Sequence, residues 1–315
     1  MNQARAFTLL SSAAAVCLIS SCGNSPEEIR LADGTVSAAH AGSSAELYAE
    51  GYAYEQAGKT TKAIKHYEAL ANQYPLAKEA AEARYRQADL LYQTGDLVKS
   101  FKAFQSFITS YHGTRHYSDA LAKQEAVAHS AATGELKHNF LGLKSSVAAT
   151  TAEEMLIKVR DNAPYGASAP KAQFAIGDLW QRRGNEEKAI KAYQEVQLRY
   201  PKSSLAPEAL FRAGTMLMNE ADEGNQNQAN LDQARSVFID LRQLYPGSKQ
   251  AKAAKSKLAQ LGSQDLQRSY DIAEFYRGKK QYASAAFYYR EVIKKTKSGT
   301  ELNKLAKQRL AEVSQ

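Results

Sequence analysis

The sequence predicts an all-α solenoid built from helix–turn–helix repeats that follow an export signal. Two 28-residue segments, residues 48–75 and 174–201, carry a small residue, an aromatic, a glycine, an alanine, a tyrosine and a proline at identical spacings. Looser copies of this pattern occupy much of the remaining chain, and repetition at a fixed period is typical of solenoids. The hydrophobic and charged fractions, 44% and 23%, are those of an ordinary globular chain.

The spacing within each segment has a physical basis. Gly51 and Ala63 are expected where two helices cross closely, with Tyr54 and Tyr67 filling the space beside the crossing. Gly58 is expected to end the first helix in a left-handed conformation, and Pro75 cannot continue the second. The second segment has the equivalents Gly177, Trp180, Gly184, Ala189, Tyr193 and Pro201. The pattern resembles the tetratricopeptide repeat, which implies a right-handed superhelical solenoid of about five to six repeats.

The repeats and their flanking segments divide the chain into five parts. These are a signal peptide (1–21), a flexible tether (22–44), N-terminal repeats (45–117), a degenerate repeat (118–165), and C-terminal repeats with a cap (166–315). Residues 219–230 are polar, and we predict a loop between two helices there. Residues 301–313 are amphipathic and fit the capping helix that a solenoid end needs for solubility.

The N-terminus carries a short export signal. Its apolar run, residues 6–19, is too short to span a bilayer, and it ends in Ile-Ser-Ser-Cys. This ending resembles a bacterial lipobox, which implies cleavage before Cys22 and acylation of its thiol and amine. Gly23 after the cysteine is similar to an outer-membrane address. An ordinary signal peptide with a chance cysteine is the alternative.

The two cysteines leave no thiol in the mature chain. Cys17 departs with the signal and Cys22 is consumed by lipid, so a disulfide, a redox pair or a Cys-rich zinc site is excluded. The sequence also lacks the nucleophile, phosphate-loop and dinucleotide motifs. His112 and His116 are four residues apart, but Gly113 argues against a helical metal pair. We therefore expect no enzyme activity, cofactor or metal.

The formal net charge of +8 is concentrated near the C-terminus. Residues 249–315 contain fifteen Lys or Arg and six Asp or Glu. This excess fits either a solvated helical surface or a basic face for an acidic protein or anionic headgroups. Nucleic acid is a poor candidate because the chain is exported. The candidate docking residues are Arg277, Lys279, Lys280, Lys294 and Lys295.

In tetratricopeptide solenoids the first helix of each repeat lines the concave groove. The groove positions of the first two repeats are then Tyr48, Tyr52, Glu55, Glu82, Tyr85, Asp89 and Tyr92. Four tyrosines with several carboxylates would suit an extended peptide that has aromatic side chains. The alternative is that these rings pack between neighbouring repeats.

The combination of lipobox, tether and repeats resembles the BamD family of outer-membrane β-barrel assembly lipoproteins. The first repeat, LYAEGYAYEQAGKTTKAIKHYEALANQYP, is similar to that family's first repeat. Residues 214–293 carry a closer likeness: an inserted loop, then QA…F…L…YP.S, a long linking helix, and a helix with AEFY. This chain has one or two extra repeats near residues 118–201. It also reads Lys279-Lys280 where the family usually has Arg-Gly, so the bidentate fork of Arg is lost.

The resemblance implies a scaffold anchored in the outer membrane by lipid and facing the periplasm. Its N-terminal repeats would receive the aromatic-ended C-terminal signal of unfolded barrel proteins. Its C-terminal repeats would dock on the periplasmic domains of the β-barrel insertase, together with other assembly lipoproteins. Two alternatives remain: a tetratricopeptide lipoprotein that coordinates constriction with peptidoglycan synthesis, as in the Tol–Pal system, and a purely structural envelope scaffold.

Overall fold

A computed structural model describes residues 29–30, 36–37, 43–134, 137–138, 144–223 and 228–314. The helices of this part are α1 (Ser44–Gln56), α2 (Thr60–Gln73), α3 (Ala80–Gln93), α4 (Leu97–Ser110), α5 (Tyr117–Thr133), α6 (Ala149–Asn162), α7 (Ser168–Arg182), α8 (Glu186–Arg199), α9 (Ala206–Glu223), α10 (Gln228–Leu244), α11 (Lys249–Gly278), α12 (Tyr282–Lys295) and α13 (Glu301–Val313). Two antiparallel pairs of two-residue strands accompany them: β1 (Ile29–Arg30) with β2 (Val36–Ser37), and β3 (Lys137–His138) with β4 (Lys144–Ser145).

The helices stack as successive pairs, which confirms the predicted all-α solenoid. Each helix packs on its neighbours in sequence, and α3, α5 and α7 also contact one another in order along the stack. Six helix pairs result, from α1 with α2 to α11 with α12, and α13 packs on the last pair. None of the helices in the described residues is both long enough and apolar enough to cross a membrane.

The turn inside each of four repeats depends on one left-handed residue. Gly58, Gly95 and Gly184 follow the first helix of their repeats with φ of 68°, 85° and 71°. A left-handed residue with a Cβ costs roughly 1–2 kcal/mol, which glycine avoids. Lys280 occupies the equivalent turn after α11 with φ of 60°, so the last repeat keeps a strained lysine there.

The helices of a pair approach closely because a small residue faces a ring. A Cβ added to Gly177 would lie 2.5 Å from the ring of Tyr193 on the partner helix. The same holds at Gly51 opposite Tyr67, at 2.9 Å, and at Gly214 opposite Phe238, at 2.8 Å. The small residue therefore makes room for a buried ring as well as for the neighbouring helix. The predicted close crossing of the two helices is confirmed, and the structure adds that a ring of the partner helix lies against the glycine.

The structure differs from the sequence-based expectation around the polar insertion. Residues 219–223 and 228–230 are helical and do not belong to the predicted loop, because α9 continues to Glu223 and α10 begins at Gln228. The four residues between them lie outside the described part. Ala221 and Leu231 are buried, so the added turns of both helices pack against the core. The predicted loop is therefore mainly a helical extension of the repeat.

Two other segments differ in detail. Residues 118–165 contain the helix pair α5 and α6 with β3 and β4 between them. The predicted linking helix and the AEFY helix form one continuous helix of 30 residues, α11. Its buried residues fall into two groups: Ala251, Ala254 and Leu261 near its start, and Ala273 near its end. Leu261 belongs to the large central core, whereas Ala273 belongs to a separate core formed with α12 and α13.

Alanine substitution at each of two glycines tests the packing of the helix pairs. Gly177→Ala should lower the free energy of unfolding by about 1–3 kcal/mol, because its Cβ would overlap the Tyr193 ring. Gly262→Ala, within α11 and with no atom close to the added Cβ, should raise it by about 0.5–1 kcal/mol. Urea unfolding of both variants measures the difference. Equal effects at the two positions would contradict the helix register described here.

Candidate functional site

The predicted groove residues lie on the first helices of the first two repeats. Tyr48, Tyr52 and Glu55 are on α1, and the other four, from Glu82 to Tyr92, are on α3. Within each helix they recur every three or four residues, so each set shares one face. Arg86 of α3 links the two faces, and Lys123 of α5 continues the contacts from α3 to the next repeat, so the three helices form one wall.

The carboxylates of this wall are all paired with cations. Arg86 spans the two helices, with Nη1 3.1 Å from Glu55 Oε1 and Nε 2.9 Å from Glu82 Oε1. Lys123 of α5 lies 2.6 Å from Asp89. The groove surface is therefore a network of mixed charge.

Glu82 is the centre of the network. Arg115 Nη2 and His116 Nε2, both from the turn before α5, lie 2.8 Å and 2.7 Å from its second oxygen. Burial opposes ionisation of Glu82, but the hydrogen bonds from Arg115 and His116, with the charges of His116 and Arg86, bring the net pKa below its usual value. Glu82 is thus held as a carboxylate that ties three segments together.

Two of the four groove tyrosines are fixed between repeats. The Tyr85 ring stacks on His116 with centroids 4.2 Å apart, and its hydroxyl donates to Asp119. The Tyr92 hydroxyl lies 3.4 Å from Ser130 Oγ on α5. Both rings also pack against the central core. For these two residues the geometry agrees with the packing alternative.

The other two tyrosines face more open space. Tyr48 and Tyr52 stack with centroids 6.5 Å apart, and Tyr52 is 42% exposed with the Arg86 guanidinium 5.3 Å from its ring centroid. A cleft of about 410 Å³ opens beside Tyr48. It is lined by Tyr48, Lys78, Glu79, Ala81, Glu82, Thr114, Arg115 and His116.

Sequence reasoning missed a hydrogen-bonded unit that recurs along the wall. The Tyr67 hydroxyl donates to Glu55 at 2.6 Å, and Glu55 also binds Arg86 of the next repeat. The second copy joins Tyr193 to Asp178 at 2.6 Å, and Asp178 to Arg212 at 2.6 Å. The third joins Tyr289 to Glu274, with Arg309 3.5 Å away. The signal was present: Arg86 and Arg212 each follow the small residue of their signature by thirty-five positions.

The predicted docking residues do not form one face. Lys279 and Lys280 lie in the turn before α12, whereas Lys294 and Lys295 lie at its far end, about 20 Å away at 1.5 Å per residue. Arg277 is half-buried and pairs with Glu274 of its own helix at 2.7 Å. Lys295 pairs with Glu291 at 2.9 Å. The group therefore divides into two exposed basic ends.

An exposed aromatic surface accompanies the first of these ends. Phe275 and Phe287 are 60% and 58% exposed. Between them Tyr276 and Tyr288 stack at 5.7 Å, and each phenylalanine contacts the adjacent tyrosine ring. Lys279 Nζ lies 5.7 Å from the Phe275 centroid. We call Phe275, Tyr276, Phe287 and Tyr288 the aromatic row; adjacent rings in EFYRG and AFYYR were its sequence signal, since neighbours on a helix cannot both face the core.

The remaining sequence predictions concern a metal and a lipid. No group of three or more metal-binding side chains is assembled in the part of the chain that the structure describes. His116 is engaged by Glu82 and Tyr85, and His112 lies beside Tyr117 with ring centroids 5.4 Å apart. Cys22, the predicted lipidation site, lies outside the described residues.

Comparison with known protein families identifies two matching models. A tetratricopeptide repeat model matches residues 48–113. The YfiO model, described as an outer membrane lipoprotein, matches residues 143–307. A search of curated proteins found no match.

Solved structures with helical repeats are also similar. A tetratricopeptide repeat protein from Parabacteroides merdae has 12% identity and a TM-score of 0.31, covering 86% of this chain and 99% of that one. MamA from Desulfovibrio magneticus has 17% identity and a TM-score of 0.30, covering 66% and 98%. The P58(IPK) tetratricopeptide domain has 15% identity and a TM-score of 0.33, covering 86% and 78%.

The YfiO match includes the extended pair α9 and α10, the long helix α11 and the last repeat, which are the features of residues 214–293 on which the resemblance rested. It covers just over half of the chain. The chain therefore belongs to the YfiO family of outer membrane lipoproteins, the BamD family that its sequence resembles.

Proposed function

We propose that this protein is a lipid-anchored scaffold on the periplasmic side of the outer membrane. It receives unfolded segments of outer-membrane β-barrel proteins and docks on the β-barrel insertase. Membership of the outer membrane lipoprotein family is the observation that carries this proposal. The tetratricopeptide fold supports a role in protein binding. The two surfaces described above supply one site for the client and one for the insertase.

The N-terminal surface suits a chain end that has an aromatic residue. The exposed Tyr52 ring offers a flat surface for stacking, next to the cleft beside Tyr48. Arg115 and Lys78 line this cleft with largely exposed side chains. A terminal carboxylate placed there would make a charge-assisted hydrogen bond. Tyr85 and Tyr92 form the wall of the site and hold α3 against α5.

The C-terminal surface has the composition of a protein interface. The aromatic row supplies an exposed apolar centre, and Lys279 and Lys280 supply charge at its edge. Lys280 remains in a left-handed conformation that disfavours lysine. Strain of this kind is often retained at functional sites, which supports a role for its charge.

The client site can be tested by removing its two most exposed members. Tyr52→Ala combined with Arg115→Ala should weaken binding of an aromatic-ended peptide about tenfold or more, because stacking and carboxylate contacts are lost together. The melting temperature should fall less than in a variant of a core-packed tyrosine, since both side chains are largely exposed and Arg86 and His116 still pair with Glu82. Fluorescence anisotropy and thermal melting measure the two effects.

Tyr85→Ala is the matched control for the client site. It should lower the melting temperature, because Tyr85 packs against the core and His116. If the Tyr52 and Arg115 variant kept full affinity, the client site would lie elsewhere.

The docking surface can be tested by charge reversal at each end of α12. Lys279→Glu with Lys280→Glu should abolish co-purification with the insertase, because like charges at an interface cost several kcal/mol. Lys294→Glu with Lys295→Glu, about 20 Å away, should have a smaller effect. Lys280→Gly should raise the free energy of unfolding by about 1 kcal/mol by removing the left-handed strain. Full retention of the insertase by the first variant would exclude this turn as the docking site.

The membrane anchor can be tested at Cys22. Cys22→Ala removes the residue that is acylated, so it should abolish incorporation of radiolabelled palmitate. Because stable membrane anchoring requires these acyl chains, the folded variant should leave the membrane fraction. The control is Cys17→Ala, which removes the other cysteine and should leave labelling intact. If the purified Cys22 variant bound completely to lipid vesicles that contain no other protein, the chain would have a second membrane anchor.

A further inference from the structure

Neighbouring inter-repeat turns are joined by a recurring hydrogen bond. The Tyr111 hydroxyl, after α4, donates to the Pro75 carbonyl of the preceding turn at 3.1 Å. The Tyr245 hydroxyl, after α10, donates to the Pro201 carbonyl at 2.8 Å. In both cases a tyrosine at the end of a repeat reaches back and closes the gap between two successive turns.

The corresponding gap between α6–α7 and α8–α9 is open. Tyr200 and Pro164 occupy the equivalent positions, but among the described residues no hydrogen bond to the Tyr200 hydroxyl is made. The two turns instead enclose a cleft of about 890 Å³. That volume lies within the range of clefts that bind ligands. The cleft is more than twice as large as the one beside Tyr48.

The walls of this cleft are mainly apolar. Tyr165 and Tyr200 present rings, and Tyr165 is fully exposed to solvent. Pro164, Pro170 and Pro201 line the same space. A proline has a fixed φ, so the backbone of these two turns is restricted before a partner binds.

The rim of the cleft is basic. Lys171, Arg199 and Lys202 line it, and no Asp or Glu is among its lining residues. Two of the rim cations have acidic neighbours: Glu195 lies 3.5 Å from Arg199, and Glu125 lies 3.8 Å from Lys171. The charge of Asp161 also acts on the Tyr200 hydroxyl. Within the described residues Lys202 makes no ion pair. The rim therefore retains a positive charge that an anionic group on a ligand would neutralise.

We propose that this cleft is a second peptide-binding site, which takes an apolar segment bearing a carboxylate. The apolar side chains would contact the rings and prolines, and the carboxylate would pair with Lys202 and Arg199. A C-terminal α-carboxylate and an Asp or Glu side chain share this chemistry. The site lies on the turns between repeats and shares no lining residue with the cleft beside Tyr48. Its use by a client rests on the proposed function, under which a client would contact the protein at two places.

The test uses one labelled peptide, Ala-Ala-Val-Tyr-Gly-Phe, in three forms: a free acid, a C-terminal amide, and an amide with Glu in place of Val. Binding is measured by anisotropy on the detergent-solubilised full chain that carries Tyr52→Ala and Arg115→Ala, so that the groove does not contribute. The free acid, the Glu form or both should bind about tenfold more tightly than the plain amide, and added salt should weaken them. Which acidic form binds identifies the source of the carboxylate.

Variants of the cleft complete the test. Arg199→Glu with Lys202→Glu should weaken the acidic peptide about tenfold, whereas Lys252→Glu with Lys255→Glu, exposed on α11, should not. Ala167→Trp, which fills the cleft, should also block binding. Equal binding of the amide and both acidic forms, or unchanged binding by the Arg199 and Lys202 variant, would overturn the proposal. Absence of measurable binding by all three forms would overturn it as well.

Discussion

The close contact between a glycine on one helix and a ring on its partner is the constraint on which the other features depend. Gly177 leaves space that the Tyr193 ring fills, and this contact sets the depth at which the ring sits. At that depth its hydroxyl reaches Asp178, and Asp178 in turn holds Arg212 of the next repeat. Burial and the hydrogen bond to Asp178 raise the pKa of Tyr193, so the hydroxyl remains a donor. Packing within one repeat thus positions the Asp178–Arg212 ion pair that joins it to the next repeat.

The same arrangement explains the character of the groove. Each carboxylate on the inner wall is matched by a cation from the following repeat, so the stacking of repeats consumes most of the charge. The groups of the groove that can still contact a ligand are the exposed rings and the few cations that keep free donors. Recognition there would rest on aromatic area and single charge-assisted hydrogen bonds, and would be less sensitive to the net charge of the client.

The fold was readable from sequence because a tetratricopeptide signature lies within 28 consecutive residues. Gly51, Gly58 and Pro75 each act within a single helix pair or at its end, so their effects are local in sequence. The helical insertion was not readable, since its helix depends on the burial of Ala221 and Leu231 against other repeats. The spacing of the predicted groove residues places them on one face of α1 and one face of α3, as the structure has them. The pairing of their carboxylates was not predictable, because Arg115 and Lys123 come from a different repeat than the carboxylates they contact. Likewise, Lys279 and Lys294 belong to one charge cluster in sequence and to opposite ends of a helix in space.

The helix α11 connects two separate cores, with Leu261 the last buried residue of one and Ala273 the first of the other. An α-helix turns by about 100° and advances 1.5 Å for each residue. The number of residues between these two positions therefore sets the azimuth of the last repeat about the axis of α11. Deleting one residue there would rotate the aromatic row by about 100° while each core kept its own contacts. The length of α11 therefore fixes the orientation of the aromatic row relative to the repeats of the central core, although the two share no side chain.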